Sequence, residues 1–273
     1  MRKKNIPLAS YAILVVGSLV TFFPLVWMIV LSLSDNPASS STVSELFKKG
    51  FSFRNFSDIL SSDNYGIYFF NSLIVSFIVA IGNCILCLYT AYAFARMEFR
   101  FKKALFTSVL IVLMVPVYVV MIPLYREIVT FGWINSYAAL TIPFIVSPIG
   151  IFLLRQYIAE LPIELEEAAR IDGASLFHII HKIIFPLAKP ALVVLFLYQF
   201  LNIWNAFLFP FLFTNTEEMR TLPVALTFFQ GKQTVDLGHL MAGAGLSALP
   251  VLLLFAIFQK KIIAGLTAGA VKG

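Results

Sequence analysis

Between Glu164 and Lys189 the sequence gathers a dense cluster of side chains that can do chemistry: Glu164, Glu166, Glu167, Arg170, Asp172, His178, His181 and Lys182. Three acids in the first turns of a helix favour the positive end of its dipole. Glu166 and Arg170 stand four apart, in the order that favours an ion pair along a helix. Acids alternating with the small residues Ala168, Ala169, Gly173 and Ala174 suit docking into a cleft on another protein, where carboxylates pair with bases. His178 and His181 are three apart, a spacing that serves a metal, but no third His or Cys lies near, so packing or an interface is the reading. Cys84 and Cys87 form C-x-x-C inside an apolar run, which reads as small-residue packing. Gly231-Lys232 is followed by Gln233, so there is no phosphate-binding P-loop. No Ser, His and Asp arrangement suggests hydrolysis.

A second group consists of amides inside apolar runs: Asn71, Asn83, Gln199, Asn202 and Asn205, with Trp204 beside the last. Polar residues within a membrane are expensive and often mark a pathway. Gln199, Asn202 and Asn205 recur every three residues and form a strip on one helix face, flanked by Tyr198 and Trp204. Amides and an aromatic ring suit a sugar, which offers hydroxyls and an apolar face. Alternatively, the amides hydrogen-bond neighbouring helices.

These residues must be positioned by elements that are largely oil. Of 273 residues, 60% are hydrophobic and only 12% charged, against about 25% charged in a soluble domain. A spanning helix needs about 20 mostly apolar residues. Six runs qualify, at about 10–33, 69–95, 104–124, 137–156, 190–213 and 240–258. Several contain proline, which lipid tolerates when neighbouring helices or water satisfy the freed carbonyls. The first run follows Met-Arg-Lys-Lys and invites a signal-peptide reading, but it exceeds the 7–15 apolar residues typical of one. With six spans both termini share a side. Fourteen of the twenty Lys and Arg residues fall on that side, among them Arg2, Arg96, Lys103, Arg155, Lys189 and Lys260. The positive-inside bias therefore makes it the cytoplasm and explains the net charge of +6 without nucleic acid.

The stretch from Glu164 to Lys189 then lies on the cytoplasmic face, between the fourth and fifth runs. Leu161-Pro162 is expected to open a helix, with Pro at a favourable first position. Gly173 permits the left-handed turn that ends it. Ser175 is a candidate cap for a second helix, whose apolar positions Leu176, Ile179, Ile180, Ile183 and Ile184 keep helical spacing. Pro186 is expected to end that second helix, and Pro190 to open the fifth span. A plain connector needs only about 2–8 residues, so a patterned, capped hairpin of this length points to an interface.

Glu167-Ala168-Ala169, three residues, Gly173, nine residues, Ile183, one residue, then Phe185-Pro186 resembles the EAA loop of ABC importer permeases, with Phe185 where Leu is usual. The chain is similar in particular to the carbohydrate, MalG-like branch. That likeness rests on Asn71-Ser72-Leu73, Trp204-Asn205, Thr221-Leu222-Pro223 and the tail from Gly265 to Gly273, and covers nearly the whole chain.

The resemblance implies an all-α integral membrane protein of six transmembrane helices, with the MetI-like fold of type I ABC importers. It would be one permease domain over 1–273 with a core at about 67–260, multi-pass in a bacterial inner membrane. Expected partners are a MalF-like second permease subunit, two cytoplasmic ABC ATPase subunits, an extracytoplasmic solute-binding protein, a sugar and membrane lipid. No nucleic acid is expected. The chain would bind no cofactor, ATP and Mg being held by the ATPase subunits, and would not itself be an enzyme. The ATPase-coupling positions are Glu166, Glu167, Ala168, Ala169, Arg170, Asp172, Gly173 and Ala174. The translocation path is assigned to Asn71, Gln199, Asn202, Trp204 and Asn205. A flexible tail at Gly269, Lys272 and Gly273 is expected to give a second contact with the ATPases. A di- or oligosaccharide is the expected solute, with glycerol 3-phosphate or another polyol as the alternative. A stand-alone secondary transporter is disfavoured because the acids sit in loops rather than at mid-membrane.

Overall fold

The computed structural model describes residues 8–34, 50–61, 64–228 and 236–270, and side chains only from 10 to 259 within them. Twelve helices are named here: α1 (Leu8–Ser32), α2 (Arg54–Ser61), α3 (Tyr65–Arg96), α4 (Lys102–Val112), α5 (Val117–Thr130), α6 (Tyr137–Phe144), α7 (Pro148–Ala159), α8 (Glu164–Ile171), α9 (Leu176–Trp204), α10 (Leu208–Phe213), α11 (Leu222–Phe228) and α12 (Leu237–Ala270). Among the described residues there is no strand, only an isolated bridge between Ser34 and Phe51. The chain divides into two compact units, one of residues 1–66 and 225–249, the other of 67–224 and 250–273.

In the first unit, the end of α1 is tied by Asn55 of α2, whose Nδ2 donates to the carbonyls of Ser32 (2.9 Å) and Ser34 (3.1 Å). Tyr65 donates its hydroxyl to the Gly243 carbonyl at 3.2 Å. Nearly all of the outward face of α1 is apolar and exposed, as a helix bathed in lipid should be.

The second unit runs from α3 through α10 and includes α12 only from Pro250 onward, and its two ends carry different cores. At one end Leu88, Ala91 and Tyr92 of α3, Leu154 and Ile158 of α7, and Ile179, Ile180 and Ile184 of α9 pack together. At the other, Val75 and Val79 of α3 meet Ile128 of α5, Leu140 of α6, and Phe209 and Phe213 of α10. Side-chain ties settle how often the chain crosses between these ends. Arg96, at the end of α3, bonds the carbonyl of Leu161 beyond α7, and Arg155 of α7 stacks on Phe106 of α4. Asn71, near the start of α3, accepts from Tyr137 of α6 at 2.6 Å and donates to the carbonyls of Glu218 and Arg220. So α4 with α5 makes one crossing, and α6 with α7 another.

Four of the expected spans need correction. The run at 104–124 is not one straight helix but α4 and α5, meeting at 101°. Pro116 caps α5 in extended conformation (φ −60°, ψ 135°), and a residue before proline avoids the helical region. The run at 137–156 is likewise two helices bent by 41°. There Ser147 caps α7 by accepting from the Gly150 N–H at 3.1 Å. The fifth span begins at Leu176 rather than 190 and stops at Trp204, with α10 separate. Pro186 does not end a helix. Residues Ile179–Ile184 form a π-helix, closed by the Phe185 N–H bonding the Ile180 carbonyl five residues back. That wider turn delivers Pro186 to the first turn of the following α segment, where its missing N–H costs nothing. The last helix is also longer than expected. It continues to Ala270, so the stretch through Gly269 is helical rather than a loose tail. Lys272 and Gly273 lie outside the described residues.

One close approach fixes the α3–α7 contact. A Cβ on Gly150 would lie 2.8 Å from Ser147 Oγ and 2.9 Å from both Asn83 Oδ1 and Cys87 Sγ. Asn83 donates to Ser147 Oγ (3.0 Å) and to the Ile145 carbonyl (3.3 Å). Gly150→Ala should therefore break this polar joint and lower stability by roughly 1–3 kcal/mol, measurable as a drop in the unfolding midpoint of the detergent-purified protein.

Candidate coupling hairpin and transmembrane cavity

The segment from Glu164 to His178 is built as a capped hairpin. α8 begins at Glu164, two residues later than Leu161-Pro162 suggested, with no side-chain cap. Its other end closes in a Schellman turn. Gly173 sits at φ +81°, its N–H bonds the Arg170 carbonyl at 3.0 Å, and the Ala174 N–H bonds the Ala169 carbonyl at 2.9 Å. This pair of bonds, with a left-handed residue after the cap, is what glycine is suited to supply. Ser175 Oγ then accepts from the His178 N–H at 3.3 Å and starts α9.

Glu166 departs from its expected surroundings. Rather than pairing along α8 with Arg170 and facing a partner, its side chain is 2% exposed. Oε1 accepts from Arg96 Nε at 2.7 Å, and Oε2 accepts from the Tyr92 hydroxyl at 2.8 Å. Arg96 also donates from Nη2 to the Leu161 carbonyl at 2.6 Å. One guanidinium thus holds both the approach to α8 and its buried carboxylate. A buried charge tolerates this position only when paired and hydrogen-bonded. Ala169 and Ala174 pack partly against the core at this end, while Glu167, Ala168, Arg170, Asp172 and Gly173 are exposed.

Sequence patterning did not single out Ile171. It is 87% exposed at the tip of the hairpin, with Phe177 at 66% close by. Ile171 breaks the apolar periodicity of α8, which was the available signal. Arg96 and Tyr92 were missed as anchors because they lie about seventy residues away in sequence.

His181 is held internally. Its Nε2 meets the Tyr89 hydroxyl and its Nδ1 the Phe177 carbonyl, both at 2.9 Å. Among the described residues no group of three His, Cys, Asp or Glu side chains is placed to hold a metal.

The amides separate into distinct settings. Asn71 is buried and tethers the 218–220 segment, as described above. Asn205 is exposed, and its Nδ2 bonds the Leu201 carbonyl at 2.8 Å. Trp204 is buried, stacked on Phe200 and edge-on to Phe69. Gln199 and Asn202, with Tyr198, line a cavity of about 250 Å³ together with Ser72, Ser147 and Thr221. Gln199 Nε2 donates to the Phe144 carbonyl at 3.1 Å. So two of the five expected path residues share one cavity, and the other three do not line it.

The family model described as "Binding-protein-dependent transport system inner membrane component" matches residues 85–267, from α3 through the hairpin into α12. The chain belongs to that permease family. A permease of this family is a membrane transport component rather than a catalytic subunit. Among curated proteins, the chain is 36% identical over 266 residues to the arabinooligosaccharides transport system permease protein AraQ of Bacillus subtilis, covering 94% of this chain and 92% of that one. It is 35% identical to the trehalose/maltose transport system permease protein MalG of Thermococcus litoralis, covering 99% and 98%. Among solved structures, a bacterial ABC transporter importing the acidic polysaccharide alginate aligns with a TM-score of 0.80 at 20% identity, over 93% of this chain and 95% of that one. That likeness supports the all-helical importer-permease fold.

Proposed function

We propose that this permease is the MalG-like subunit of an ATP-driven importer that passes a di- or oligosaccharide from an extracytoplasmic binding protein into the cytoplasm. The observation that carries this is the hairpin: an acidic helix closed at Gly173, anchored from behind by Arg96, with its charged and apolar tip left open. In this reading a cytoplasmic ATPase subunit seats Glu167, Ala168, Arg170, Ile171, Asp172 and Gly173, while Glu166, Ala169 and Ala174 position them from the inner side. ATP and Mg belong to the two ATPase subunits, and a MalF-like chain completes the pathway. Both termini face the cytoplasm of a bacterial cell, as the distribution of basic residues favours. The end of α12 at Gly269, followed by Lys272 and Gly273, gives the ATPases a second contact. The names of the relatives support a sugar over glycerol phosphate, and so does a cavity with no basic side chain in its wall.

The test is reconstitution of the purified assembly in proteoliposomes with its binding protein. Sugar uptake should require both ATP and the binding protein. Uptake by this chain alone would sink the proposal.

A further inference from the structure

A cavity of about 820 Å³ lies where the end of α3 turns into α4, with Arg155 of α7 on its third side. Its floor is aromatic: Phe94 is buried and meets Phe99 at 5.8 Å and Phe106 at 5.4 Å between ring centroids. Its charged wall, among the described residues, sets Lys102, Lys103 and Arg155 against one acid, Glu98. Glu98 is already engaged, accepting from Lys102 Nζ at 3.0 Å. Arg155 is spent on neutral groups. It donates to the Gln156 side chain at 2.8 Å and lies 4.2 Å from the centroid of the Phe106 ring. That ring orients the guanidinium and leaves most of its five N–H donors for another acceptor. Lys103 is exposed and, among the described residues, enters no ion pair. Three bases against one acid leave a surplus of two positive charges.

Depth and continuity say what fills that surplus. Lys102 begins α4, the first half of a span, so the bases stand at the membrane–water boundary. No residue of α4 is buried. Leu105 and Val112, seven apart and so on one face, are 50% and 54% exposed. An open apolar face therefore leads from the bases into the membrane. A free anion would use the bases and not this face, and an acyl chain alone would use the face and not the bases. A lipid with an anionic head uses both, and basic pockets between spans suit such heads. The turn itself is strained. Phe101 sits at φ 66°, a region that bulky residues rarely take, and strain of this kind clusters at ligand clamps. Its ring is 63% exposed, where an aromatic residue at the headgroup level is favoured.

We propose that this cavity holds the phosphate head of an anionic phospholipid, with an acyl chain along α4. Arg155 and Lys103 bind the phosphate, and the aromatic floor takes the glycerol end. In the orientation proposed above the lipid belongs to the cytoplasmic leaflet. The depth of the site and its charge do not depend on that orientation.

The full-length protein in neutral detergent is stripped of lipid and titrated with phosphatidylglycerol or phosphatidylcholine, with bound lipid counted by native mass spectrometry. Phosphatidylglycerol should bind more tightly. Lys103→Gln, at an exposed position without an ion pair to lose, should weaken it roughly fivefold, and Lys103→Gln with Arg155→Gln about thirtyfold. Phosphatidylcholine binding should not change. Lys182→Gln with Lys189→Gln removes two exposed bases outside the cavity and should leave both affinities as they were. An equal loss in that control would overturn the site in favour of bulk charge. Full displacement of phosphatidylglycerol by millimolar inorganic phosphate would overturn the lipid in favour of a soluble anion. Lost co-purification of other subunits by Lys103→Gln, with phosphatidylglycerol binding intact, would assign the bases to a protein partner instead.

Discussion

Arg96→Ala is expected to lower stability by roughly 3–5 kcal/mol and to abolish uptake. The loss follows from what is left behind. Glu166 stays buried with the Tyr92 hydroxyl as its remaining partner, and the Leu161 carbonyl loses its donor. Truncating one member of a buried ion pair costs that much because the other charge is left uncompensated. Arg96→Met with Glu166→Leu separates stability from mechanism. Removing both charges together is often neutral for folding, so the double variant should recover most of the unfolding midpoint measured in detergent. If it also recovers sugar uptake, the ion pair serves folding alone. If uptake stays low while the complex assembles, the pair is needed to hold α8 rigid against the load it carries.

Gly173→Arg is expected to abolish ATP-driven uptake while the protein still reaches the membrane. There is space for a side chain, since nothing lies within 4 Å of where a Cβ would stand, but φ is +81°. A residue with a Cβ in that left-handed region costs about 1–2 kcal/mol, which the chain can survive. The larger effect is a long cation placed in the middle of the proposed docking face, beside Ala168 and Asp172. Gly173→Ala should show the backbone cost alone, with lowered stability and substantial uptake. Co-purification of the ATPase subunits distinguishes the two. It should be lost for Arg and kept for Ala, and normal uptake by Gly173→Arg would refute the docking assignment.

Legibility in the sequence followed the range of the interactions. The six apolar runs could be read because lipid imposes a length and composition on every span. The turn at Gly173 and the cap at Ser175 were legible because both are made within a few residues. Prolines were harder. Pro116 breaks a span into α4 and α5, whereas Pro186 is absorbed by the π-helix at Ile179–Ile184, and nothing local tells these outcomes apart. Glu166 was misread for the opposite reason. Arg170 offered a plausible partner at four residues, and the actual partner was Arg96, across the fold. The polar strip on α9 was visible as spacing, but the periodicity of one helix does not say which amides share a cavity. That depended on Thr221 and Ser72, contributed by other elements.

The uninterrupted helix from Leu176 to Trp204 has a mechanical consequence. At about 1.5 Å per residue, its 29 residues make a rod of roughly 43 Å, with the hairpin at one end and the cavity wall at the other. A rod needs no relay of side-chain rearrangements between its ends. By the same geometry, a tilt of about 5° at the hairpin end would carry the far end sideways by about 4 Å, more than the length of a hydrogen bond. Had Pro186 ended the helix, the same tilt would have been lost in a flexible joint. The π turns beside the hairpin are then the compliance in a lever arm, and its stiffness rather than any single contact sets how much of the stroke arrives.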